Sequence, residues 1–226
     1  MTEKYSPSTS HPEAIPEIPK LRLLTQSLAM LDAIICRNWE YRYYSFNSKW
    51  GLGEEMASMR NGCGDEWFLL FAPCGAAMKG LAHECGLSGD ASFVAHIPST
   101  VPGEFKSFLR EPAFGMEWVT FCLWRCHTDP SWNVVVPPAG LSWLEEDGSR
   151  DLLDILDGNP KTYHSFAEEY YERPVSFEVV QAIYEHKPLT EDLIAALNPG
   201  ISLSDIVADA GEIGYPASSG GHPRLP

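Results

Sequence analysis

The chain has 226 residues, 44% of them hydrophobic and 12% aromatic, with 31 Asp and Glu against 16 Lys and Arg and a formal charge of -15. This is the composition of a folded chain large enough to bury its own core; it excludes wholesale disorder and collagen-like repeats, and no run approaches the length of a membrane span. Such acidity repels a phosphate backbone or an anionic bilayer, so neither nucleic acid nor membrane is expected as a partner.

Residues 1–19 hold Pro7, Pro12, Pro16 and Pro19 among polar residues. They lack the basic start and apolar run of a secretory signal, which predicts a disordered lead and a cytoplasmic protein. Leu21, Leu24, Leu28, Leu31 and Ile35 then recur at steps of three and four, the mark of an amphipathic helix over 21–36 packed along one stripe. From residue 39 the pattern changes to short runs at 41–49, 55–60, 66–72 and 76–84, broken at Gly51/Gly53, Asn61-Gly62 and Pro73/Gly75. That predicts an antiparallel meander, and the unbroken apolar run from Trp67 to Phe71 marks a central strand covered on both faces.

Residues 86–100 read as a loop leading to a short helix over 104–110 that Pro112 stops. Runs at 118–126 and 132–136, joined by the turn-like His127-Thr128-Asp129-Pro130, extend the sheet to about six strands. Beyond Gly148 the pattern is helical at 151–156, 162–171, 177–185, 191–197 and 203–210. Ser202 three residues before Asp205 has capping-box spacing, Thr190 precedes two acids, and Gly158 and Asn198-Pro199-Gly200 sit where helices end. The expected fold is therefore α+β: an N-terminal helix, a meander sheet of about six strands, and a cluster of short C-terminal helices packed on it. Segments 20–139 and 140–214 are expected to form one unit, because short helices need an apolar surface and the sheet needs a cover. The Ser/Gly/Pro-rich tail over 215–226 is expected to be flexible.

No cofactor motif is present: Gly62-Cys63-Gly64 is followed by two acids and no Gly-Lys-Ser/Thr, so it is not a phosphate loop. Cys122 and Cys126 would lie on one face of a strand too far apart to share a tetrahedral ion, with His127 pointing away, so no metal site is expected. The six cysteines are read as free thiols of a reducing compartment. Cys74, in a turn, and His83, on the following strand, form a conceivable nucleophilic pair, and Asp65 or Glu66 could orient the histidine; a turn thiol is the simpler reading.

Two groups of residues stand out for binding. The acids Glu54, Glu55, Asp65, Glu66 and Glu84, with His83, gather near predicted strand ends, where they either meet or are matched by Arg60 and Lys79. The run from Trp39 to Trp50 puts aromatics on both strand faces, so that Tyr44 and Trp50 are candidates for a binding surface unless the C-terminal helices cover them. Charge is uneven as well: 15 acids and 11 bases lie up to residue 139, and 16 acids and 5 bases beyond it. The helical part is the acidic one, through solubility or through a surface shaped for a basic partner.

The runs 39–50, 58–65 and 78–84 resemble a bacterial family of uncharacterised proteins, over about the first two-thirds of the chain and without a catalytic motif. In layout, a helix leading into an antiparallel sheet in an acidic chain is similar to immunity proteins of the SUKH superfamily, which neutralise secreted bacterial toxins. The resemblance implies a non-enzymatic binding protein that captures a basic, toxin-like partner. The alternative is a small-molecule enzyme or ligand-binding protein whose pocket His83, Glu84, Asp65 and Cys74 would line.

Overall fold

The computed structural model describes residues 5–138 and 147–218. Among these the fold is α+β, with a six-stranded antiparallel sheet whose strands follow one another in chain order: β1 (Tyr44–Gly51), β2 (Glu54–Arg60), β3 (Glu66–Ala72), β4 (Gly75–Leu81), β5 (Phe121–Cys126) and β6 (Asn133–Val134). Alternation along each strand sends one set of side chains to each face. Phe46, Met59, Trp67, Leu69, Met78 and Leu123 join one core, and Met56, Phe68, Leu70, Ala77 and Cys122 join the other. The two-sided apolar run of β3 is thus explained by a cover on each side.

The first cover is α1 (Ile18–Ile35) with the C-terminal helices α4 (Ser149–Leu153), α5 (Pro160–Tyr170), α6 (Phe177–Tyr184), α7 (Glu191–Leu197) and α8 (Leu203–Ile213). The α1 helix is not amphipathic as its stripe predicts: from Leu24 to Ile35 every residue is buried. It lies between β1 on one side and α6, α7 and α8 on the other, and its polar residues close the ends of its neighbours. Gln26 Nε2 donates to the Ile213 carbonyl of α8 at 2.8 Å, and Ser27 Oγ to the Ile183 carbonyl of α6 at 2.9 Å. Carbonyls in a helix's last turn lack intrahelical partners, so polar residues on a buried helix satisfy them where water has no access.

The second cover is the segment between β4 and β5. Where a loop is expected over 86–100, α2 spans Ala91–Thr100, followed by α3 (Lys106–Arg110). Asp90 caps α2, its Oδ1 accepting from the Ser92 and Phe93 amides at 2.9 Å. Phe93, Ile97 and Val101 form a buried stripe, and Pro98 falls in the last turn of the helix. No described helix is long and apolar enough to cross a membrane.

The proline-rich lead, expected to be disordered, is held over its described part. The Thr9 amide donates to Ser149 Oγ at 3.0 Å, Thr9 Oγ1 to Asp147 Oδ2 at 2.5 Å, and Trp132 Nε1 to the Pro16 carbonyl at 3.0 Å. At the other end Tyr215 is buried, its hydroxyl bridging the Ile183 and Lys187 carbonyls at 3.1 and 3.0 Å. Order therefore continues to Ser218, and the rest of the expected flexible tail lies outside the described residues.

Candidate binding surface

The predicted site residues do not converge on one place. Tyr44 is a core residue: it is buried, with its ring among Trp67, Tyr163 and Phe166. Its removal from the binding set follows from the C-terminal helices covering that face. Trp50 would share the face of Phe46 and Ser48 under strict alternation, but β1 departs from regular pairing with β2 between Asn47 and Gly51. This irregularity turns Trp50 to the opposite face, where it stacks on Phe114 with ring centres 5.9 Å apart.

Asp65 and His83 do meet, at the ends of the β3–β4 pair, with His83 Nδ1 2.7 Å from Asp65 Oδ1. Asn61 Nδ2 donates to the other carboxylate oxygen at 2.6 Å. Burial of Asp65 would raise its pKa, but the hydrogen bonds from His83 and Asn61 outweigh it and hold the carboxyl below its usual value. Glu84, however, is 90% exposed and 3.9 Å from His83 Nε2, while Cys74 sits at the far end of β4, its thiol turned to the Glu104 carbonyl. A cysteine–histidine pair is thus excluded by the length of the strand. Glu66 ion-pairs at 2.7 Å with Lys79, which is fully buried on the second face; burial pulls the Lys79 pKa down against the pull of Glu66.

One feature of the aromatic run was not singled out by its pattern. Trp39 begins a 3₁₀ turn over Trp39–Tyr41 that Asn38 caps, and it is 56% exposed. The turn is fastened to α8: Arg42 Nη1 and Arg37 Nη1 reach the two oxygens of Asp209 at 2.6 and 2.8 Å, and Arg42 Nε reaches the Cys36 carbonyl at 2.8 Å. Partial burial opposes ionisation of Asp209, but the two guanidiniums more than compensate and hold its carboxyl below the usual range. Trp39 stands in the wall of three cavities of about 200, 160 and 40 Å³. The largest lies between Trp39 and Trp50, with Met56 and Phe68 also lining it and Arg60 and Glu212 at its polar side. Arg60 has no ion pair among the described residues; its guanidinium lies 5.3 Å from the Trp39 ring centre and 5.6 Å from that of Phe68.

The outer edge of β1, where an incoming strand would pair, is occupied. Ser48 Oγ donates to the Glu212 carbonyl at 2.7 Å and α8 packs along β1, so the surface offers side-chain pockets rather than backbone pairing. The helices α5–α8 carry the exposed acids Glu168, Glu169, Glu178, Glu191, Asp192 and Glu212, of which Glu212 borders the cavities beside Trp39.

A buried charge lies beneath. Asp32 of α1 is wholly buried and accepts from the Tyr43 and Tyr44 amides at 2.8 Å each and from the Tyr163 hydroxyl at 2.6 Å. Burial pushes its carboxyl up to about 6, against those hydrogen bonds. Its task is positional: it fixes the start of β1 against α1, just beyond the Trp39 turn. No family model matches the chain, no curated protein matches it, and no solved structure does.

Proposed function

We propose that the protein is a non-enzymatic binding protein that captures a basic protein partner, in its most specific form an immunity-type protein that neutralises a basic toxin domain. The observation that carries this reading is Trp39: a large aromatic side chain left more than half exposed, on a turn held by two arginines and Asp209, and bordering three adjoining cavities. Affinity in protein interfaces concentrates in a few aromatic and arginine anchors seated in pockets, and Trp39, Trp50 and Arg60 are such residues. The acidic helices beside them would steer a basic partner towards the groove and exclude acidic ones, so association slows as salt screens the field.

The expected result of a pull-down from native lysate is a basic protein retained at low salt and released at high salt. With Trp39→Ala, a change at an exposed site, recovery of the same protein should fall at least tenfold, consistent with loss of a central anchor. Equal recovery with the variant, or an empty eluate from the native chain, would overturn the reading.

A further inference from the structure

The largest of the described cavities lies at the other end of the β1–β2 hairpin and is independent of Trp39. It measures about 310 Å³ and sits where the β1–β2 and β3–β4 turns meet the first turns of α1. Ile18, Phe71 and Pro73 give it an apolar wall, Arg22, Glu54, Glu55 and His127 a polar one. Both turns run through glycines that the backbone requires: Gly53 takes a φ of +72°, and at Gly75, φ +154°, a Cβ would come within 2.0 Å of the Arg125 carbonyl oxygen on β5.

The charges in the wall do not cancel. Arg22 grips Glu55 with both ends of its guanidinium, Nη2 lying 2.6 Å from Oε1, so those two satisfy each other. Glu54 is left over: its carboxylate, half-buried beside the cavity, has neither hydrogen bond nor ion pair among the described residues. A hollow with one unmatched negative charge and an apolar wall is complementary to a positive head on an apolar stem. The field of a chain carrying -15 raises the local concentration of such cations further.

We infer that this cavity binds an ammonium or guanidinium group carried on a short apolar stem, the head on Glu54 and the stem along Phe71 and Pro73. The inference goes beyond the partner reading, because the same chemistry is offered by a free amine and by a lysine or arginine side chain of another protein.

The test is a ¹⁵N-NMR titration of the full chain with n-butylammonium, with n-butanol as the neutral isostere, and with N-acetyl-lysine methylamide. The cationic probes should give saturable shifts at the Gly51, Gly53 and Gly75 amides with a low-millimolar Kd, and butanol should give none. Glu54→Gln should weaken binding about tenfold, whereas Asp151→Asn, which removes the same unit of charge from an exposed position on α4, should leave it unchanged. Stronger binding of the lysine derivative points to a protein side chain as the source, and stronger binding of butylammonium to a free amine; either supports the site. Absence of saturation with both cations, equal binding of butanol, or equal loss in the two variants would overturn it. Because Trp39→Ala is read out separately, failure here is distinguishable from failure of the partner reading.

Discussion

Asp32 shows how a single side chain can link stability to pH. Its carboxyl titrates near 6 in the fold and near 3.9 in an unfolded chain. Between those values the folded state holds the extra proton, so its contribution to stability is fully present below the lower value and is lost as pH rises through the upper one. Urea unfolding at pH 4.5 and pH 7 should therefore show a larger contribution at the lower pH, and Asp32→Asn should flatten that difference. Its amide oxygen can still accept from the Tyr43 and Tyr44 N–H groups. Asp32→Ala, by contrast, leaves both amides buried without an acceptor and should cost about 3 kcal/mol or more, measured at either pH. Thiol reactivity gives a second check at this scale. Cys63 is exposed and should react with a thiol reagent in the native state, while Cys122, fully buried and with its thiol pushed well up by desolvation, should react only after unfolding.

Among the elements, those with strong local signals were legible in the sequence. The apolar run of β3, the Gly and Asn-Gly turns and the Thr190 and Ser202 caps place β2, β3 and α7 within a residue of their observed bounds. What the sequence did not reveal has specific physical causes. Pro98 masks α2, because a proline in a helix's last turn looks the same in sequence as one that breaks a helix. The five-residue stripe of α1 describes only one of the faces it buries, since the others are lined by Thr25, Gln26, Ser27 and Asp32. Gln26 and Ser27 look solvent-facing until α8 and α6 are packed against them, and Asp32 until Tyr163 and the start of β1 are. Alternation puts Trp50 on the face of Tyr44 and Phe46, but its real face depends on a pairing irregularity that alternation does not predict, and Trp39 gains its importance from contacts with α8 far along the chain. The Asp209 clamp makes that last dependence testable. Asp209→Ala leaves Arg42, nearly buried, without its carboxylate and should destabilise the chain by about 2 kcal/mol, with added mobility at Trp39 visible as increased acrylamide quenching.

For the whole molecule, one continuous apolar cluster runs from Ile15 through the first face of the sheet to Tyr215. Both covers are fixed to the same strands, so thermal unfolding should be a single cooperative transition by calorimetry and by near-UV dichroism alike. Separate fragments spanning 5–138 and 147–218 should not show it, because each would expose the surface that the other buries. The distribution of charge adds a second property at this scale: screening by moderate salt should stabilise the isolated chain slightly while slowing capture of a basic partner, so the two effects of salt have opposite signs in one sample.

The burial of α1 on all sides also sets an order of events during synthesis. The helix emerges early, yet α6 and α8, which enclose it, begin at Phe177 and Leu203. At typical translation rates the intervening chain takes roughly ten to thirty seconds to appear, and throughout that interval a helix whose residues from Leu24 to Ile35 are all buried in the finished fold has no permanent neighbour beyond the sheet. The nascent chain should therefore depend on a holdase until the last helices arrive, and a translational pause placed before α6 should lower the yield of folded protein more than the same pause placed before β2.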